Sequence, residues 1–87
     1  MYSILYSHAA LKDLKGLPQD VAEKVVKSIK EISENPKTHV KKLKGSPNTP
    51  LYSLRVGDYR VIMSIEGEKL VIFVIEVGHR SKIYRKY

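Results

Sequence analysis

Tyr52-Ser53-Leu54-Arg55-Val56-Gly57-Asp58-Tyr59-Arg60-Val61-Ile62 decides how this chain folds. The stretch reads as two strands turned back on Gly57-Asp58, and a glycine at the first position of a two-residue loop suits a type II′ hairpin. That loop sets Val56 opposite Tyr59 and Arg55 opposite Arg60. Side chains alternate along a strand, so the two arginines leave the same face side by side. Like charges directly opposite each other are destabilising, and a pair held there points to an anion that both grip. Downstream, His79, Arg80 and Tyr84 crowd the end of the next apolar strand. Three arginines, a histidine and a tyrosine in so short a segment point to a phosphate site. The competing reading is a solvated, salt-tolerant surface.

Outward from the hairpin, three strands are expected, at about Leu51–Val56, Tyr59–Glu66 and Lys69–Val77, with Glu66-Gly67-Glu68 turning the second into the third. The last is apolar on both parities, as a strand covered on both faces should be. Gly78 breaks it, and His79 to Tyr84 is expected to hang past its end. Upstream, Tyr2 to Tyr6 is a strand candidate rich in aromatic and β-branched residues. Ser7 can cap a short helix through Ala9, Ala10, Leu11 and Leu14 that stops at Gly16, with Leu14 and Leu17 as an apolar joint. Pro18 suits the first turn of a second helix, with Asp20 and Glu23 near its positive end. Val21, Val25, Ile29 and Ile32 mark one helical face, widened by Ala22 and Val26. Glu23–Lys27 and Lys30–Glu34 are spaced as i,i+4 pairs, and Asn35-Pro36 stops the helix. The order of elements predicts an α+β domain: an N-terminal strand, a two-helix hairpin, then a three-stranded antiparallel sheet. The first strand must find an edge of that sheet. The helices cover one face, and the face carrying Arg55 and Arg60 stays open.

At 87 residues the chain is expected to form a single domain, residues 1–87. It has no cysteine, which excludes disulfides and thiolate catalysis. His8, His39 and His79 match no metal-ligand spacing. The longest apolar run, Leu70 to Ile75, is far too short to cross a bilayer, and the chain opens on a strand-like segment with no leader pattern. The expected location is the cytoplasm. The net charge of +7 and pI of about 9.7 favour a polyanionic partner. Lys37 to Pro50 carries four lysines and no acidic residue, and His79 to Tyr87 is also acid-free. Lys41, Lys42 and Lys44 read either as a solvated loop or as a patch that tracks RNA phosphates.

Several of these motifs together resemble the RelE/ParE toxin superfamily, and its RelE-type branch most. They are the helix hairpin with Leu17-Pro18, the helix ending at Pro36, Lys42-Leu43-Lys44-Gly45, Leu54-Arg55-Val56-Gly57-Asp58-Tyr59-Arg60-Val61-Ile62, and Val77-Gly78-His79-Arg80 with Ile83-Tyr84. The resemblance covers essentially the whole chain, in order. It implies a RelE-like, microbial-RNase-type fold and a ribosome-dependent mRNA endonuclease that cuts in the A site. It implies no metal and no cofactor: the substrate's own 2′-hydroxyl attacks the adjacent phosphate, leaving a 2′,3′-cyclic phosphate and a 5′-hydroxyl. The implied partners are a RelB-like antitoxin, the ribosome and mRNA, with operator DNA bound only through the antitoxin, and no membrane.

Carried onto this sequence, the resemblance gives Arg60 the place of the catalytic arginine, Arg80 that of the arginine after the last strand, and Tyr84 that of the tyrosine that orients or deprotonates the attacking hydroxyl. Arg55 matches a basic position that contacts the phosphate or the structure. His79 stands where some relatives have lysine and is the other candidate acid or base. Lys41, Lys42, Lys44 and Lys82 are the RNA-binding candidates. Phosphoryl transfer with a developing dianion needs fixed positive charge, which arginine's planar fork suits. One departure stands out: Ser53 lies where a basic side chain is often seen, which leaves two expectations open, weaker catalysis or Lys42 and Lys44 reaching in instead. Packing roles for Tyr59 and Tyr84, and an Arg60–Glu76 tie between strands, are the structural alternatives. Two other functions compete: ParE-type gyrase poisoning without RNA cleavage, and an inactive homologue that serves only as an antitoxin partner.

Overall fold

The computed structural model describes residues 1–43 and 50–87. Its elements in chain order are β1 (Ser3–Tyr6), α1 (His8–Lys15), α2 (Gln19–Glu31), a single 3₁₀ turn (Pro36–Thr38), β2 (Lys41–Lys42), β3 (Tyr52–Val56), β4 (Tyr59–Glu66), β5 (Val71–His79) and α3 (Arg80–Lys86). The expected α+β arrangement is present, but the sheet has five strands, in the order β1-β5-β4-β3-β2. The antiparallel β3-β4-β5 meander is its centre. β1 adds to β5 in parallel, with Ile4 beside Ile72 and Leu5 beside Phe73. Tyr2 N–H, donating to Ser33 O, and Ser3 N–H, donating to Leu70 O, secure its start.

The β3–β4 turn is the one its residues dictate. Gly57 has φ +59° and Asp58 a negative φ, the sign pattern of a type II′ turn. Val56 pairs with Tyr59 and Arg55 with Arg60. The β4–β5 connection is longer than expected: β4 ends at Glu66 and β5 starts at Val71, two residues after Lys69. Leu70 closes this turn at φ 53°, a left-handed backbone that costs a leucine about 1–2 kcal/mol. Leu70 is 45% exposed, so it has little burial to lose. Leu70→Gly is therefore expected to raise stability by up to about 1 kcal/mol, read as a higher melting temperature. A lower one would show that the exposed leucine packs more than it strains.

Ser7 caps α1, accepting from Ala10 N–H at 2.9 Å. α2 begins one residue after Pro18, which sits at the cap rather than inside the first turn. It ends at Glu31, four residues before Asn35, so Glu34 lies beyond the helix. The expected Glu23–Lys27 and Lys30–Glu34 pairs are not among the ion pairs of the described residues; Glu23 accepts from Gln19 Nε2 instead. The predicted apolar face is the buried one: Val25, Ile29 and Ile32 pack with Leu54, Val56, Val61, Met63, Ile72, Val74 and Val77. Leu14, Leu17 and Val21 border this cluster.

The face with Arg55 and Arg60 is open only in part. Gly78 does not break β5, which runs on to His79, and the residues from Arg80 expected to trail past it form α3, which packs back on β4 and β5. Ile83 is buried there, with its Cδ1 3.3 Å from where a Cβ on Gly78 would stand. Ile62, also on this face, is fully buried. Among the described residues no helix is long and apolar enough to cross a membrane.

Candidate active site

The hairpin register places Arg55 and Arg60 on one sheet face, and α3 walls them on one side. β2 walls them on the other: Lys41 pairs with Ser53, and Lys42 with Tyr52. The resulting cleft has a volume of about 430 Å³ and is lined by Lys41, Lys42, Leu43, Ser53, Arg55, Arg60, Ile83, Tyr84 and Tyr87. Among the described residues four of the lining residues are cationic and none carries a side-chain carboxylate. Arg60 is half-buried; its Nη2 donates to the Tyr84 hydroxyl at 2.6 Å, and its guanidinium carbon lies 5.4 Å from the centre of that ring. Arg60 therefore engages Tyr84, and Glu76 is taken by other partners.

Lys41 stands directly across from Ser53, and it and Lys42 bring positive charge to the cleft wall. Of the two lysines expected to reach in, Lys42 lines the cleft, together with Lys41; Lys44 lies outside the described residues.

His79 and Lys82 do not line this cleft. Both face a second groove, of about 590 Å³, with Lys12, Asp13, Tyr59, Glu76 and Lys86 among its walls. His79 caps α3: its Nδ1 accepts from Ser81 N–H at 3.2 Å, and its ring meets Tyr59 edge-on with centroids 5.6 Å apart. It follows Gly78, the partner of Arg60, by one residue, and strand alternation sends it to the opposite face. Arg80 is anchored through its backbone, N–H donating to Asp58 O at 2.8 Å, and it lines neither groove. The larger groove mixes carboxylates with lysines. Among the described residues the charged groups of the smaller one are all cationic, and it is the one suited to an anionic group that develops further charge.

Sequence reasoning missed Tyr87 and Ile83 as cleft walls and Glu76 as the support of Tyr87. Glu76 Oε1 accepts from the Tyr87 hydroxyl at 2.5 Å, and Oε2 accepts from Lys86 Nζ at 3.0 Å. The available signal was Ile83, Tyr84 and Tyr87 at helical spacing behind a capping His79.

Burial alone would raise the Glu76 carboxyl, but the bonds from Tyr87 and Lys86 outweigh it and hold the group below its ordinary range. Burial, with the bond to and charge of Glu76, pushes the Tyr87 phenol up to about 12. The two signs differ. Ionised Glu76 favours the folded state above the usual carboxylate range, and that contribution is lost as pH falls through the lowered value. Protonated Tyr87 favours it below the usual phenol value of 10.0, and that is lost as pH rises toward about 12. Glu76→Gln is expected to remove this contribution on the acid limb, checked by thermal melts across acid pH. An unchanged acid limb would mean the pair is too solvated to matter.

A family model described as the ParE toxin of type II toxin–antitoxin systems, parDE, matches residues 4–84. The chain is similar to the mRNA interferase toxin RelE of Escherichia coli strain K12, at 35% identity over 85 residues, 95% of this chain and 90% of that protein. It is also similar to toxin RelG of Mycobacterium tuberculosis, at 29% identity over 98% of both chains. Among solved structures, the toxin–antitoxin complex RelBE2 from Mycobacterium tuberculosis matches with a TM-score of 0.82 at 28% identity, over 91% of this chain and 98% of that one. The isolated Escherichia coli RelE toxin matches with a TM-score of 0.77 at 32% identity, over 99% and 94%.

Proposed function

The chain belongs to the ParE toxin family of type II toxin–antitoxin systems, within the RelE/ParE superfamily, and on that premise we propose that it is a RelE-type mRNA interferase that cuts mRNA on the ribosome and is held inactive by a RelB-like antitoxin. The observation that carries this reading is the cleft itself: Arg60 bonded to the Tyr84 hydroxyl, with Lys41, Lys42 and Arg55 around it and, among the described residues, no side-chain carboxylate. The interferase names of the relatives support the activity. The solved complexes of similar toxins with RelB antitoxins support the partner.

The proposed reaction is an internal transfer. The 2′-oxygen of one nucleotide bonds to the adjacent phosphorus, and Tyr84, reacting as the phenolate after its own proton has gone to solvent, takes the proton from that hydroxyl while Arg60 donates to the phenolic oxygen. The bond from phosphorus to the 5′-oxygen breaks, that oxygen takes a proton from solvent, and a 2′,3′-cyclic phosphate remains. Arg55 and Arg60 meet the charge that grows on the non-bridging oxygens, so the positive charge comes from the chain and no metal is invoked. Lys41 and Lys42 hold the flanking backbone. His79 is assigned to capping α3, outside the chemistry. Arg80 and Lys82 are assigned to the RNA surface around the cleft. The action is placed in the cytoplasm, where ribosomes are.

The test is cleavage of a defined mRNA by the purified chain, with and without programmed ribosomes, with the new ends mapped chemically. Cuts on ribosomes that leave a cyclic phosphate are expected. The ParE name of the matching family favours a second reading, gyrase poisoning without RNA cleavage. Intact mRNA together with inhibited gyrase supercoiling would establish that reading in place of the first.

A further inference from the structure

We propose that Glu76 is a positioning residue for the cleft: its carboxylate pins the last turn of α3 to β5, and so holds the Tyr84 hydroxyl against Arg60. The consequence for cleavage rests on the function proposed above; the geometry does not.

α3 has seven residues. A helix so short has no stability of its own in water, and its place is set by what ties it down. Its first residue is tied by Arg80 N–H to Asp58 O, and the capping His79 closes that end. Its middle is tied by Ile83, buried against Gly78. Its last turn is tied by Glu76, through Lys86 and Tyr87. The Glu76 side chain is 16% exposed against 63% for that of Lys86, so the carboxylate is the fixed partner and the helix end is what it fixes. Tyr84 is 63% exposed and has little packing to hold its ring. Its hydroxyl reaches Arg60 because the helix on both sides of it is held, by Ile83 before and by Tyr87 after. With Glu76 removed, the last turn frays, as helix ends do, and the 2.6 Å contact opens.

Glu76 does not bond to Arg60 and does not itself line the cleft; it reaches the cleft wall only through Tyr87. It lies in the other groove and acts through the helix. A register irregularity turns it toward α3. Ile62 pairs with Glu76 but Met63 with Val74, so Ile75 is an extra residue in β5. α1 satisfies the backbone groups this leaves: Ser7 Oγ donates to Ile75 O at 2.6 Å, and Val77 N–H donates to Asp13 Oδ2 at 3.0 Å. Bulges of this kind re-aim side chains beside functional sites. Here the bulge sends Glu76 and Gly78 to the α3 face and Val77 to the core.

The test compares the full-length chain with Glu76→Ala, Glu76→Gln and Tyr87→Phe, by NMR of labelled tyrosine rings and arginine side chains and by cleavage on programmed ribosomes. In Glu76→Ala, the Tyr84 and Arg60 signals should move and broaden while the Val61 and Met63 signals stay. On ribosomes kcat should fall by about 10–100-fold, with KM within about threefold, the size expected for a misplaced catalytic group. Glu76→Gln, which still accepts from Tyr87, should recover most of the rate. In a Tyr84→Phe background Glu76→Ala should cost less than about twofold, because the two changes remove one function. If Glu76→Ala fails to fold, Tyr87→Phe provides the same NMR comparison. Unmoved Tyr84 and Arg60 signals, or an equal cost with and without the Tyr84 hydroxyl, would overturn the assignment. If the wild-type chain cuts no mRNA on ribosomes, the proposed function fails and the NMR arm alone decides the positioning role.

Discussion

Replacing Arg60 by alanine is expected to lower mRNA cleavage on ribosomes by about 10²–10³-fold, the cost of removing one preorganised donor to a developing oxyanion. The melting temperature should move little. Three features of the site set this asymmetry. Arg60 lies across the ladder from Arg55, so folding brings two like charges together and alanine relieves that repulsion. Its bond to the exposed Tyr84 hydroxyl is at the surface, where a hydrogen bond contributes about 1 kcal/mol or less. Its neighbours along β4, Val61 and Ile62, are fully buried and keep the strand in place. On the proposed mechanism the balance reverses in the transition state, because negative charge grows on the non-bridging oxygens that Arg60 is proposed to meet. Single-turnover cleavage and a thermal melt on the same sample check both halves. A loss of more than about 10 °C, equivalent to over 1 kcal/mol in a domain of this size, would make the arginine structural and remove it from the mechanism.

Ile72→Ala is expected to do the opposite. Ile72 is fully buried at the middle of β5, between Ile4 of β1 and Ile65 of β4. Truncating such a side chain costs about 2–5 kcal/mol, through lost burial and the cavity left behind. Small domains are stable by only about 5–15 kcal/mol, so the melting temperature should fall by roughly 10–30 °C. Below that transition the rate per folded molecule should be close to that of the parent, since the side chain faces the helices and the cleft lies on the other face. A loss of rate with stability intact would mean that the core steers the cleft across the sheet.

The residues differ in how far they announced these roles. Arg55 and Arg60 were legible because a two-residue turn is a local steric code: once Gly57 takes a positive φ, the pairing across the ladder has no freedom left. The buried face of α2 was legible for the same kind of reason, a 3.6-residue period read within one segment. β2 was not. Two lysines have low strand propensity, and only an available β3 edge makes them extended. α3 was not legible because a short basic tail forms a helix only where a sheet offers it anchors. The place of His79 was not legible either: standing beside Arg80 in sequence said nothing about which face it takes.

By itself, then, the sequence determined the α+β class, the core face of α2, the hairpin register and the pairing of two arginines, since each rests on contacts between near neighbours. The tertiary structure decided that β1 joins β5 in parallel, because an alternating strand satisfies either direction until an edge is presented. It decided that Lys41 faces Ser53, and that Glu76 and Gly78 turn toward α3. The last of these depends on Ser7 and Asp13 stabilising a bulge more than sixty residues away along the chain. No local preference encodes that bulge. It exists because buried backbone groups must be satisfied, and only the packed fold brings their partners within reach.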